Sequence, residues 1–155
     1  MRVDIMSKMR GVGPFAELWD RRTVLETKDG SRYDLLSLPD LVTAKKTQRD
    51  KDWPMIRRLV EANYATTRDE PTPKRVRFWL AEARTPELLV ELAGRFPEEY
   101  ASMAEARRVL RAPLNIDPLD DALAEEERTE RVADREYWAP LKREIEALRQ
   151  SCPPL

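Results

Sequence analysis

Prolines stand at the front of successive apolar patterns, and their placement restricts the fold of this chain more than any other feature. A proline locks φ and carries no amide proton, so it suits the first turn of a helix and interrupts the ladder of a central strand. Pro86 opens ELLVELAGRF, which stops near Gly94, and Pro97 opens EEYASMAEARRVL. Ahead of them Val76, Trp79 and Leu80 have helical spacing, with Phe78 or Trp79 expected in the core. After Pro113 and Pro118 comes LDDALAEEERTERVADREYWAPLKREIEALR, a charged run that Pro140 is expected to break or kink. Everything beyond the polar, Pro-rich stretch ATTRDEPTP therefore reads as helix, and a boundary falls near Thr67 to Thr72.

Before that boundary, strand and helix signals mix. RVDIM, Arg2 to Met6, alternates as a short strand does, with Val3 and Ile5 on one face and Asp4 on the other. A loop from Arg10 to Pro14 leads into FAELWDRR, where Phe15, Leu18 and Trp19 predict a helix of about two turns. TVLETKDGSRYDLLSL predicts a hairpin: Val24 and Leu25 are β-type, Asp29-Gly30 is a strong turn signal, and Tyr33 and Leu35 resume the alternation. Ser37 or Pro39 then starts a helix through Leu41, Val42 and Ala44. After Arg49-Asp50 another helix begins, with Asp52 as N-cap, Pro54 in its first turn, and Trp53, Ile56, Leu59, Val60 and Tyr64 as its buried stripe. The expected class is α+β, a small sheet of one strand plus a hairpin with flanking helices over residues 1–66, then an all-helical segment over 67–155.

Composition narrows the chemistry. At 155 residues and 41% hydrophobic the chain can bury one core, and 28 basic against 29 acidic side chains leave no global field to draw it onto nucleic acid or membrane. It contains no histidine, which removes the usual general base and the Ser-His and Cys-His nucleophile pairs. The single cysteine, Cys152, allows no intrachain disulfide and fits a reducing compartment. No run of about 18 apolar residues occurs, so a soluble, cytoplasmic protein without a membrane partner is expected.

Cations gather in LPDLVTAKKTQRDKDWPMIRRLVEANY, Leu38 to Tyr64. Lys45 and Arg49 are four apart, so a helix reaching Arg49 would aim both at one phosphate. The alternative is a helix C-terminus, where each cation gains about 0.3–1 kcal/mol from the macrodipole.

The order of these elements resembles the second half of the nucleotidyltransferase fold, the DNA polymerase beta-like superfamily, and especially its branch of AbiEii-type toxins and minimal nucleotidyltransferases. The residues that carry the resemblance are Val3-Asp4-Ile5, then Leu38-Pro39-Asp40-Leu41-Val42 through Lys45, then Arg49-Asp50-Lys51-Asp52. It implies that Asp4 binds magnesium and that Lys45, Arg49 and Lys51 steady a nucleoside triphosphate. These enzymes also hold two magnesium ions with a Gly-Ser turn and an Asp-x-Asp pair ahead of that strand, and only three residues precede Asp4 here. Gly30-Ser31 lies inside the hairpin and leads to Asp34 and Asp40 without an Asp-x-Asp pair. One carboxylate cannot hold two metal ions, so this chain alone is expected to be inactive.

In the tail, Trp138, Leu141, Ile145 and Leu148 recur at three, four and three, a narrow apolar seam that packs on its own domain, on a partner helix or on a second copy. Asp120, Asp121, Glu125, Glu126, Glu127 and Glu130 read as a solvated acidic face. Two functions are therefore expected. One is a nucleotidyltransferase-like protein acting on a protein or RNA acceptor if its metal site were completed. The other is a noncatalytic interaction protein, such as a toxin–antitoxin component or a degenerate homologue, that binds through its helical tail.

Overall fold

The computed structural model describes residues 8–151, and the expected strand Arg2 to Met6, with Asp4, lies outside them, as does Cys152. Among the described residues the chain is α+β. The short helix α1 (Phe15–Asp20) precedes strands β1 (Thr23–Glu26) and β2 (Arg32–Leu35). Then come α2 (Leu38–Ala44), α3 (Asp52–Thr67), α4 (Pro73–Glu82), α5 (Pro86–Arg95), α6 (Pro97–Met103), a 3-10 turn at Arg108–Arg111, and α7 (Ile116–Ser151).

The hairpin forms where Asp29-Gly30 sits. Gly30 has φ of +82°, which only glycine adopts freely, and the Asp29 carboxylate accepts the Ser31 amide at 3.1 Å. β1 and β2 pair antiparallel with Val24 opposite Asp34 and Leu25 opposite Tyr33. All eight strand residues are exposed, so the hairpin projects from the body and is held at its base by the Arg22–Asp34 ion pair at 2.7 Å. A two-stranded hairpin is marginal alone, and this one rests on local turn chemistry.

Ser37 starts α2, accepting the Asp40 amide at 3.4 Å, and Arg21 grips the Asp40 carboxylate through Nε at 2.7 Å and Nη2 at 2.9 Å. That fork fixes α1 against α2. In α3 the expected stripe is inside: Trp53, Ile56, Val60 and Tyr64 are buried and Leu59 is half-buried. Thr72 caps α4 through the Arg75 amide, and prolines open α4, α5 and α6.

One core runs from Val42 of α2 through α3, α4, α5 and α6 to Leu119 and Leu123 of α7, crossing the 68–72 turn between α3 and α4. Trp79 sits fully buried in it, donates its indole N–H to Asn63 Oδ1 at 2.8 Å, and meets Tyr64 edge-on at 5.0 Å. Phe78 is only half-buried.

α7 is one helix of 36 residues and continues through Pro140, where the sequence pattern predicts a break or kink. Proline removes one backbone bond, to the carbonyl four residues earlier, but around Pro140 the helix surface is open, so that carbonyl can turn to water.

Candidate functional site

The seven-residue connection between α2 and α3 holds the expected phosphate-facing cations, and its geometry differs from the helical one. α2 ends at Ala44, with the Lys45 amide closing onto Leu41 and Val42. Lys45 and Arg49 therefore do not share a helical face.

They meet instead on Asp52. This residue is 1% exposed, and its carboxylate accepts the Thr47 hydroxyl at 2.6 Å, with Lys45 Nζ and Arg49 Nε each at 3.3 Å. Burial works against the Asp52 charge, but the Thr47 hydroxyl and then Lys45 and Arg49 outweigh it and hold the carboxyl below its usual range. Asp52 is also not the cap that its position predicts. It is the first residue of α3, Lys51 occupies the cap position, and the carboxylate faces back into the connection, away from the helix amides.

The rest of the connection is tied down at each end. Trp53 donates its indole N–H to the Thr47 carbonyl at 2.9 Å, and the Gln48 amide donates to Asp134 Oδ2 of α7 at 2.9 Å. The other Asp134 oxygen accepts the Trp138 indole N–H at 3.1 Å and lies 3.5 Å from Arg10 Nε. Asp50 pairs with Arg131, and Lys46 with Glu82 at 2.8 Å. Lys51 is exposed and pairs with no described residue. Of the three expected cations, two are engaged by Asp52 and one faces solvent, while Asp4 lies outside the described residues.

Among the described residues no three acidic or sulfur side chains come together in a manner suited to a metal ion. Asp52 and Asp50, the carboxylates nearest the cations, are already held by Lys45, Arg49 and Arg131. The described residues do not fit a magnesium pair.

A second charge cluster escapes the sequence patterns. Arg107, 6% exposed, donates to the Leu80 and Ala83 carbonyls at 2.7 and 2.8 Å, and holds Glu126 by Nε at 3.0 Å and Nη2 at 2.8 Å. Arg84 pairs with the same Glu126. Glu126 is thus no part of a solvated face. Burial disfavours its charge, yet Arg107 first and then Arg84 and Lys46 keep its carboxyl below the ordinary range. This cluster locks the end of α4 to α7. The signal for Glu126 and Asp134 was phase: both fall on the stripe set by Leu119 and Leu123.

The remaining feature is apolar and open. Phe15 and Trp19 of α1, Leu35 of β2 and Tyr137 of α7 line a cavity of about 550 Å³. Beyond it α7 overhangs the body: Leu141, Ile145 and Leu148 are 44%, 40% and 64% exposed, and no residue from 141 to 151 is buried. They continue the same stripe that, upstream, buries Leu119, Leu123 and Asp134. No helix among the described residues is long and apolar enough to cross a membrane.

Comparison of this chain with family models, with curated proteins and with solved structures finds no match.

Proposed function

We propose that this chain is a noncatalytic interaction protein that docks a partner helix along the overhang of α7. The observation behind this reading is the unpartnered seam itself: Leu141, Ile145 and Leu148 point the way the core points but extend past its end. Fully burying one such side chain contributes about 1.5–3 kcal/mol, so a partner that covered all three would gain a binding term of useful size. The test is a photo-crosslinking residue at position 145 in the cells that make the protein. A discrete adduct that disappears in Leu141→Asp is expected. Absence of any adduct from a folded protein would overturn the reading.

The second proposal is that, were its metal site completed, the protein would transfer a nucleotide from a triphosphate to a protein or RNA acceptor. What favours it is that Lys45, Arg49 and Lys51 gather on one short connection with Lys51 open to solvent. Calorimetric titration with ATP, GTP and CTP in magnesium decides it. Saturable heat lost in Lys51→Ala and in Asp4→Asn is expected, and no heat with any nucleotide would sink it.

A further inference from the structure

Charge along the two flanks of the α7 overhang restricts what can lie there. On one side Arg135, Lys142 and Arg149 follow each other at intervals of seven, so all three share one flank of the seam, and all are exposed. Neither Arg135 nor Lys142 pairs with a described residue, and Arg149 has only Glu146 at 4.0 Å. On the other flank stand Tyr137, Glu144 and Ser151. One edge of the seam is therefore basic throughout, and the other carries a single acid.

A second copy fits this edge poorly in either direction. Antiparallel pairing sets Lys142 beside the other copy's Lys142 and brings Arg135 against Arg149, which are like charges at the positions that choose partners. Parallel pairing fails on shape. The seam lies on the face that packs on the core upstream through Leu119 and Leu123, so two parallel copies would drive their bodies into the same space. A flat bilayer meets the same obstacle, because the body stands on the side that the seam faces.

Resting on the interaction reading above, we infer that the occupant is an amphipathic helix of another protein that lays apolar residues on Leu141, Ile145 and Leu148 and an acidic row against Arg135, Lys142 and Arg149. The apolar contact supplies affinity and the row of acids supplies choice of partner.

The full chain is titrated by fluorescence anisotropy with two labelled synthetic peptides, each three heptads long with identical Leu and Ile seams. One has Glu on the flank that meets the cations and the other has Lys. The Glu peptide is expected to bind about tenfold tighter at low salt, with the gap closing as screening shortens the reach of the charges. A chain carrying Arg135→Glu, Lys142→Glu and Arg149→Glu, checked for its fold by circular dichroism, is expected to reverse the preference. Equal or tighter binding of the Lys peptide would overturn the acidic partner and leave the interaction reading intact. Saturable binding of neither peptide, or binding that Ile145→Asp leaves unchanged, would remove both. Two further results would overturn the inference by placing something else on the seam: a dimer in sedimentation of the chain alone, or pelleting with anionic vesicles, each abolished by Ile145→Asp.

Discussion

The two halves of α7 carry one apolar stripe and have different surroundings. Residues up to Asp134 bury it against α5 and the 3-10 turn, while residues after Pro140 leave it in solvent, although the periodicity hardly changes between them. Helical phase thus determines which side of a helix is apolar, and only the neighbouring elements determine whether that side is covered. The packed half should be energetically sensitive to single substitutions, and the overhang should not be.

Among truncations to alanine, the largest expected loss is at the ion cluster beneath the packed half. Arg107→Ala removes a buried donor to two backbone carbonyls and leaves the half-buried Glu126 with Arg84 and the more distant Lys46, for a cost of about 3–5 kcal/mol. Urea denaturation should show this as a lower midpoint. A loss below 1 kcal/mol, as expected for an exposed pair, would mean that Glu126 reaches water.

Leu119→Ala comes next. The side chain is fully buried, and its removal leaves a cavity in the core, with an expected cost of about 2–5 kcal/mol. Acid should act in the same direction as these two substitutions. Glu126 and Asp52 both have folded pKa values held below their ordinary ones, so the stability they contribute is present above the unfolded value and is lost as pH falls through the folded one. Denaturation midpoints should therefore drop below about pH 4, and Glu126→Gln should flatten that drop.

Asp52→Ala ranks third at about 1.5–3 kcal/mol, since the carboxylate accepts a hydroxyl and meets two cations but sits on a connection between helices. Arg49→Ala in the same cluster should cost under about 1 kcal/mol, because Arg49 is 59% exposed and its pair is screened. A reversed ranking would show that the cations, more than the Thr47 hydroxyl, hold the connection.

How far these differences could be read from the sequence depends on what each residue type can signal by itself. Local grammar was legible: Asp29-Gly30 turned the hairpin, Ser37 began α2, and Pro86 and Pro97 opened α5 and α6. Those positions are set within four residues of themselves. The end of α2 was legible only in part: the apolar pattern runs to Ala44, where the helix stops, but Lys45, Lys46 and Thr47 are all tolerated in a helix, so nothing local rules out one that reaches Arg49. What stops the helix is tertiary: Thr47 turns to Asp52 and the Gln48 amide to Asp134, 86 residues away. Glu126 looks like its acidic neighbours until its phase with Leu119 and Leu123 is noticed. At Pro140 the helix does not break, since the rule that prolines break helices is weakest where the surface is open.

The smallest expected effect is the one that best separates the halves of α7. Ile145→Asp puts a charge into the apolar stripe at a position that is already 40% exposed, so the folded chain alone should change by less than about 0.5 kcal/mol. The same replacement at Leu123, on the same stripe but 6% exposed, would bury an unpaired carboxylate and should prevent folding at room temperature. Thermal denaturation of the two variants side by side measures this directly. If Ile145→Asp destabilises the isolated chain by more than 1 kcal/mol, the overhang is already covered by its own protein, and the docking face proposed for it does not exist. If it does not, the stripe past Pro140 adds nothing to the fold, and its apolar side chains are available to a partner.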